Sequence, residues 1–363
     1  MWEIEVARQA GFEPRDIVFT GVGKSRAELE CGVALDLKAI NVESAGELAR
    51  IEEIAARLGR VARVAVRVNP DIDAKSHPHI STGLRINKFG VALDEARHLL
   101  ESFTRRPSLK LVAVHVHVGS QVTDLGPLRR AAALAAAISR ELLDRGVPLE
   151  YVDLGGGLGV SYDGSAVASV SQYVSALVEE LCRVQKHPAY ATPDHARENP
   201  ADTAHARRPG PCGLGAALPI VIEPGRSMVA PAGILVARVV DIKPRDAVSD
   251  FVVIDAGMTE LLRPALYGAY HRIEPVALRD RPRKSYEIVG PVCESSDVVG
   301  RDRELPALEI GDLLAVRDAG AYGAAMASNY NRRPQPAEVL VENGSWSVIK
   351  RRQTVDDMLR LEQ

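Results

Sequence analysis

The chain has 363 residues, of which 46% are hydrophobic and 26% charged, and its formal net charge at pH 7 is −3. This length fits one large domain or two of medium size. The near balance of charges argues against a nucleic-acid-binding protein, which usually carries a basic excess. No apolar run reaches the roughly 18 residues that a membrane span needs. The N-terminal stretch lacks the apolar segment of a signal peptide, and the four cysteines show no CxxC spacing. We therefore expect a cytoplasmic protein without a disulfide framework.

Six strand-like segments alternate with helix-like segments in the first two thirds of the chain. Near-continuous Val and Ile runs separated by amphipathic helices are typical of a parallel sheet covered by helices. Each run ends in a polar or glycine-rich loop, which is where α/β barrels carry their chemistry. The pattern predicts a partial α/β barrel over residues 1–232. The six strand-like segments are 16–21, 39–44, 61–70, 111–120, 151–157 and 219–225.

From about residue 233 the pattern changes to strands joined by turns, with little helix between them. This pattern of strands and turns predicts a separate C-terminal β-domain over 233–363, closed by a short helix in "TVDDMLRLEQ". Within the first domain, residues 186–216 are rich in Pro, Ala, His and Arg and show no period. We interpret them as a loop insert, and their irregularly spaced histidines do not favour a metal site.

The segment "GVGKS", residues 21–25, resembles the end of a phosphate-binding P-loop. The full motif needs a glycine five residues before the glycine that precedes the lysine, and Val18 occupies that position. The P-loop interpretation therefore fails, and Lys24 is predicted to be a solvated loop lysine.

Two other strand ends carry glycines that could hold an anion. "DLGGGLG" (153–159) and "IEPGRS" (222–227) each follow a predicted strand, and the second adds Arg226. Glycines let backbone amides approach an anion closely, and barrel loops commonly build one phosphate site. The alternative is that both are tight turns without a ligand.

"HVHVGSQ", residues 115–121, places two histidines on one face of a strand. No companion histidine pair supplies further ligands, so no metal is predicted. One histidine is expected to be a core residue, and one near a phosphate site could stack on a flat ring. Glu223, at the next strand end, could keep a ring nitrogen protonated. Phosphate, flat ring and carboxylate together indicate pyridoxal 5′-phosphate (PLP).

Six motifs in order resemble the diaminopimelate decarboxylases, PLP-dependent enzymes with an alanine-racemase-like barrel and a C-terminal β-domain. The resemblance runs from about residue 11 to the C-terminus, interrupted only by 186–216. The motifs are "HVHVGSQ", "DLGGGLGVSY", "IEPGRSMVAPAG", "DAGMTELLRPALYGAYH", "GPVCESSDVVG" and "DAGAYGAAMASNYNRRPQPAEVLV".

The resemblance implies a set of residues that bind the cofactor. His117 would stack on the pyridine ring and also act in catalysis, and Glu223 would pair with the ring nitrogen. The remaining cofactor-binding residues, most of them at the phosphate, would be Ser120, Gly155, Gly156, Gly157, Pro224, Gly225, Arg226 and Tyr322.

The resemblance also implies a homodimer with shared active sites and a small amino-acid substrate, with neither a nucleic acid nor a membrane as partner. Cys293 would act as proton donor, and Glu294 would hold the distal amino group, both across the subunit boundary. The substrate carboxylates would be bound by Arg226, Arg263 and Tyr267, with Tyr322 reaching either phosphate or substrate. Alternatively, Cys293 is an ordinary buried small residue, and Arg263 and Tyr267 form a surface pair.

The sequence departs from the family pattern at its start. The lysine that forms the Schiff base in this family lies in a motif like "YAxKAN", which is absent here. Six strands are present where a closed barrel needs eight, so the first two βα units, roughly 60 residues, are predicted to be missing. The motif "CESSD" favours diaminopimelate as the substrate, so we predict diaminopimelate decarboxylation as the activity. Because the segment with the Schiff-base lysine is absent, we predict that the chain as written is inactive. The alternatives are an ornithine or arginine decarboxylase, or a non-catalytic homologue that binds a partner chain.

Overall fold

The computed structural model describes residues 1–73, 88–186, 218–245, 249–360 and 362. The chain divides into two compact units. The first comprises Met1–Gly159 and Val167–Pro224, and the second comprises Val160–Ala166 and Gly225–Gln363. This division lies a few residues before the expected limit at 232. The expected insert at 186–216 lies outside the described residues, apart from the end of a helix at Lys186.

The first unit is a parallel sheet with helices in its connections, as the sequence predicted. The strands are β1 (Val18–Phe19), β2 (Ala39–Val42), β3 (Ala62–Asn69), β4 (Val91–Ala92), β5 (Leu109–Val116), β6 (Tyr151–Asp153) and β7 (Ile220–Val221). The helices are α1 (Trp2–Gln9), α2 (Arg26–Leu35), α3 (Ala45–Arg57), α4 (Leu93–Ser102), α5 (Leu125–Asp144) and α6 (Val170–Lys186).

The strand order is β1-β2-β3-β5-β6-β7, with the short β4 added to β3, and every pair is parallel. All six predicted strands are present and each is shorter than predicted, in most cases because a glycine- or proline-bearing end leaves the hydrogen-bonded ladder. Among the described residues β1 and β7 each pair on one side only, so the sheet is a half-barrel. The carboxyl ends of its strands lie along one edge.

Local sequence explains how the helices are placed. Ser25 and Glu28 form a capping box at the start of α2, and Ser44 caps α3 by accepting from the backbone amide of Glu47. Val64 and Val66 on β3 are fully buried. This burial matches the uninterrupted apolar runs of the sequence.

The prediction of a solvated Lys24 is wrong. Its side chain is buried, and Nζ donates to the backbone oxygens of Gly21 and Asn41, each at 2.7 Å, and to Glu47 Oε1 at 2.8 Å. The three ammonium protons therefore join the loop after β1 to β2 and α3. Lys24 of the segment "GVGKS" thus forms a structural ion pair with Glu47.

The second unit is mostly β, which confirms the predicted β-domain. The strands are β8 (Leu235–Lys243), β9 (Asp250–Ile254), β10 (Ile273–Pro275), β11 (Arg283–Val289), β12 (Val298–Pro306), β13 (Leu313–Val316), β14 (Glu338–Glu342) and β15 (Ser345–Lys350), and the helices are α7 (Arg226–Val229), α8 (Arg263–Tyr267) and α9 (Val355–Leu359). The larger sheet has the order β10-β13-β8-β9-β11-β12, and β14 and β15 form a separate hairpin. Helix α9 begins after a capping box between Thr354 and Asp357 and is the predicted closing helix.

Two expectations drawn from composition concern the cysteines and the membrane. Cys31 and Cys293 are free thiols. None of the helices in the described ranges is both long and apolar enough to cross a bilayer.

The Lys24–Glu47 pair gives a prediction for stability. Lys24→Met leaves the Glu47 carboxylate buried without its cation and should lower the free energy of unfolding by about 3–5 kcal/mol. Urea denaturation followed by circular dichroism measures this change. The control is Arg26→Met, which breaks the exposed Arg26–Glu53 pair and should cost less than about 1 kcal/mol. Equal losses in the two variants would contradict the importance of the buried pair.

Candidate active site

The loops that follow β5, β6 and β7 meet at the carboxyl edge of the sheet. A Cβ atom on Gly155 would lie 2.5 Å from the backbone oxygen of Val116, and one on Gly156 would lie 2.1 Å from that of Glu223. At Gly157, which has φ +109°, the distance to the backbone oxygen of Gly119 would be 2.3 Å. The glycine triplet is therefore required for the close approach of three loops, whether or not an anion binds there.

The triplet and the Glu-Pro-Gly turn adjoin, as a shared site requires. The amide of Glu223 donates to the oxygen of Gly155 at 2.8 Å. Two of the three glycine amides already have acceptors: Gly155 donates to Asp153 Oδ1 at 3.0 Å, and Gly156 donates to His117 Nδ1 at 3.1 Å. The Gly157 amide has no acceptor within the described ranges. Of the three, Gly157 is thus the one with an amide available to an anion.

His117 directly follows the last residue of β5, and Ser120 lies three residues further along the same loop. Because Nδ1 of His117 accepts from Gly156, the neutral ring carries its proton on Nε2. Burial, assisted by the positive charge of Arg67, lowers the pKa of His117 to about 4. The imidazole is therefore neutral at pH 7.

Glu223 follows β7 and is the partly exposed carboxylate of the site. Thr20 Oγ1 donates to its Oε1 at 3.3 Å, and His115 Nε2 lies 3.6 Å from its Oε2. Burial opposes ionisation, but the interaction with nearby His115, aided by the hydrogen bond from Thr20, outweighs it and lowers the pKa of Glu223 to about 2. The carboxylate is therefore negatively charged at pH 7.

A buried polar group lies beneath Glu223. Asn41 and His115 are fully buried, and the Asn41 amide nitrogen lies 2.9 Å from Thr20 Oγ1 and 3.1 Å from His115 Nδ1. Asp153 is also fully buried, and burial raises its pKa to about 6. Asn41, Thr20 and Asp153 were not among the predicted site residues, although each lies at or near the carboxyl end of a strand.

Three atoms of this buried group have no hydrogen-bond partner in the described ranges: Asn41 Oδ1, His115 Nε2 and Asp153 Oδ2. Ligand atoms of His115, Asp153 and Glu223 lie within 4.8 Å of one another, which would suit either a cation or a protonated ring nitrogen. The absence of a metal stays a prediction.

In the second unit, two buried arginines pack on aromatic rings. Arg226 Nη1 donates to the Tyr162 hydroxyl at 2.9 Å, and its guanidinium carbon lies 4.8 Å from the centre of the Tyr322 ring. The guanidinium carbon of Arg263 lies 4.3 Å from the centre of the Tyr162 ring, and its Nη1 is 2.8 Å from Nε2 of buried His271. The sequence analysis missed Tyr162 and His271, although both lie inside quoted motifs.

Arg263 is suited to hold a carboxylate. It is only 5% exposed, and no carboxylate pairs with it within the described ranges. Its Nε also lacks an acceptor there, and burial lowers its pKa. A buried cation without an anion is costly, so an incoming carboxylate would be bound strongly. The alternative of a surface pair with Tyr267 is wrong for Arg263, and Tyr267 lies one turn further along α8, partly buried.

Cys293 and Glu294 are both exposed on one loop of the second unit. Buried Asp297 shapes this loop, because its carboxylate accepts from the amides of Met258 at 2.6 Å and Val292 at 2.8 Å. The Cys293 amide donates to Asn331 Oδ1 at 3.1 Å. Cys293 is therefore not an ordinary buried small residue.

Comparison with known proteins assigns the chain to a family. A family model described as pyridoxal-dependent decarboxylase, pyridoxal binding domain, matches residues 1–192. A diaminopimelate decarboxylase of Neisseria meningitidis serogroup B is 41% identical over 357 residues, which cover 98% of this chain and 78% of the relative. A crystal structure of diaminopimelate decarboxylase from Helicobacter pylori complexed with L-lysine is 40% identical, with a TM-score of 0.86, and the match covers 99% of this chain and 82% of that one.

These comparisons do not bear out the prediction that the chain is a truncated and inactive form. The matches extend over nearly all of the chain and over more than three quarters of each relative. The chain belongs to the pyridoxal-dependent decarboxylases and, within them, to the diaminopimelate decarboxylases.

Proposed function

We propose that this chain catalyses the PLP-dependent decarboxylation of meso-2,6-diaminopimelate to L-lysine and CO₂, the last step of lysine biosynthesis. The observation that carries the proposal is the 41% identity to a diaminopimelate decarboxylase across 98% of the chain. The lysine complex of the Helicobacter pylori relative supports an amino-acid ligand of this kind.

The residues at the carboxyl edge of the half-barrel fit PLP. Glu223 is ionised and partly exposed, and the unpartnered Oδ2 of buried Asp153 lies near it. A protonated pyridine nitrogen would give this anionic group its missing positive partner. The Gly157 amide offers a donor for the phosphate, and Ser120 follows in the neighbouring loop.

When bound, PLP supplies a ring that accepts the electrons left on the substrate carbon as CO₂ departs. Glu223 would hold a proton at the ring nitrogen, because its carboxylate stays charged at neutral pH. Neutral His117 would stack on the ring without adding a positive charge that competes for those electrons. Gly155 and Gly156 would position His117 and Glu223 through their close backbone contacts. The phosphate would be held by Ser120, Gly157, Gly225 and Arg226, with Pro224 shaping the turn and Tyr322 reaching the phosphate or substrate.

In the second unit, Arg226, Arg263 and Tyr267 would bind the substrate carboxylates. Arg263 supports this role most directly, because it is buried, stacked on Tyr162 and lacks a carboxylate within the described ranges. Diaminopimelate has an amino-acid group at each end, so it needs both a cation and an anion at the far end. Arg263 and Glu294 would supply this pair.

We also infer a homodimer in which Cys293 returns a proton to carbon and Glu294 binds the distal amino group, both in the partner's active site. The exposure of both residues on the single chain supports this arrangement, because neither is committed to the core of its own unit. A thiol is a reasonable acid for this proton transfer. A cytoplasmic location stays a prediction.

Replacing Glu223 by Gln removes the negative charge opposite the ring nitrogen. We expect kcat for diaminopimelate decarboxylation to fall by about 100-fold. The matched control is Glu150→Gln, because the pKa of Glu150 is likewise lowered to about 2, by its hydrogen bond with Arg63. Steady-state CO₂ release measures both variants. A similar loss of kcat in Glu150→Gln, or retention of more than half of the unmodified kcat in Glu223→Gln, would contradict the role of Glu223 at the ring nitrogen.

Replacing Arg263 by Met removes the buried cation while keeping an apolar stem. We expect kcat/KM for meso-diaminopimelate to fall by about 10- to 100-fold, because a charge-assisted contact is lost. Arg245→Met, which removes an arginine stacked on Phe251 but ion-paired with Glu287, should have little effect.

The unmodified protein should also prefer meso-diaminopimelate to ornithine and arginine, as rates of CO₂ release from the three substrates would show. A clear preference for either rival would overturn the substrate assignment.

A shared site predicts complementation between two inactive variants. Glu223→Gln and Cys293→Ala proteins, mixed and allowed to exchange subunits, should recover about a quarter of the unmodified activity. Half of the dimers would be mixed, and each mixed dimer would contain one intact site. Size-exclusion chromatography with light scattering checks that dimers are present. No recovery from exchanging dimers would place both residues in the same subunit's site.

A further inference from the structure

We propose that Asn41 is a positioning residue for Glu223, because its one side-chain amide directs Thr20 and His115 toward the two oxygens of the Glu223 carboxylate. We call these four residues the Asn41 fork. The inference deepens the proposed function and rests on it only for what Glu223 does to the cofactor. The arrangement of donors is a property of the first unit alone.

The contacts of the Asn41 fork form two parallel paths. On one path the Asn41 amide nitrogen lies 2.9 Å from Thr20 Oγ1, which lies 3.3 Å from Glu223 Oε1. On the other path the same nitrogen lies 3.1 Å from His115 Nδ1, and His115 Nε2 lies 3.6 Å from Glu223 Oε2. Asn41 and His115 are fully buried, so water does not compete for the contact between them.

The direction of each hydrogen bond follows from the number of protons. An ionised carboxylate only accepts, so the single hydroxyl proton of Thr20 goes to Glu223. Thr20 must then accept from Asn41, which turns the amide nitrogen of Asn41 toward it. The second amide proton faces His115 Nδ1, and that nitrogen accepts it. Since Nδ1 accepts, it carries no proton, and the ring proton of His115 lies on Nε2, directed at Glu223.

The position of Asn41 is fixed by its own backbone. Its oxygen accepts from buried Lys24 Nζ at 2.7 Å, and Lys24 is held in turn by Glu47 at 2.8 Å. Asn41 lies on β2, which pairs with β1 on one side and β3 on the other. A rigid strand thus holds the Asn41 amide in place. The amide in turn orients the hydroxyl of Thr20 and the ring of His115, which without it could direct their protons away from Glu223. Asp153, whose Oδ2 lacks a partner in the described ranges, is the rival acceptor for His115 Nε2.

The first test reads the His115 tautomer directly in the protein without added PLP. Long-range ¹⁵N–¹H correlation spectra of ¹⁵N-histidine-labelled protein should show the His115 proton on Nε2. The His115→Phe variant assigns the signal by its absence. A proton on Nδ1 of His115, with or without one on Nε2, would overturn the proposal, and this test needs neither enzyme activity nor a variant at Asn41.

The second test uses Asn41→Leu, which keeps the approximate volume and removes both amide protons. We expect its dissociation constant for PLP, measured by fluorescence titration, to rise at least 10-fold. We also expect kcat for meso-diaminopimelate to fall by a larger factor than the factor by which KM changes. Thr20→Val should cost less, and adding it to Asn41→Leu should cost little more, because the threonine acts through the amide. The control is Val42→Ala, which opens a cavity at the fully buried next residue on β2 without touching the fork.

Equal effects of Asn41→Leu and Val42→Ala on PLP affinity would show a merely structural role and overturn the proposal. Full additivity of Asn41→Leu and Thr20→Val would do the same. If the unmodified protein binds PLP but does not release CO₂ from diaminopimelate, the proposed function fails. The tautomer and the affinity ratios would still decide the role of Asn41.

Discussion

The close approach of three loop backbones is the constraint on which the candidate site depends. Backbone oxygens of Val116, Gly119 and Glu223 lie where the three consecutive glycines would otherwise carry Cβ atoms. A Cβ atom would lie only 2.1–2.5 Å from one of these oxygens at each position, so any side chain there would force the loops apart. The strand ends of β5, β6 and β7 can therefore converge only with glycine at these positions, and the convergence places His117 beside the triplet and next to the Glu223 loop.

The charges of the side chains at this edge of the sheet depend on the balance between burial and hydrogen bonding. Burial disfavours the charged form of every group, so it lowers the pKa of His117 to about 4 and raises that of Asp153 to about 6. Glu223 is the exception, because donors from His115 and Thr20 outweigh burial and lower its pKa to about 2. Two nearby carboxyl groups are thus separated in acidity, a pattern found where each has a different task. The hydrogen-bond donors around Glu223, more than its depth, decide that it is the anion.

In the second unit the corresponding constraint is a pair of buried guanidinium groups on aromatic rings. Tyr162 contacts both Arg226 and Arg263, and buried His271 fixes the second through a 2.8 Å contact. The rings stabilise cations that lack water, and they leave the planar guanidinium edges for an anion. This arrangement explains why arginine and not lysine suits these positions.

The sequence by itself determined the fold class, the six parallel strands, the β-domain and the family, because apolar periodicity and motif order are local properties. It also identified the glycine triplet and Glu223. It misjudged Lys24, whose burial depends on the distant partner Glu47, and it found no role for Asn41, Thr20, Asp153 or Tyr162. Those residues acquire their roles from contacts that only folding creates: Thr20 meets Glu223 across 203 residues and His115 meets Asn41 across 74. Tertiary structure alone decided which polar strand ends face one another, because hydrogen-bond direction and pKa depend on neighbours in space and not on neighbours in sequence.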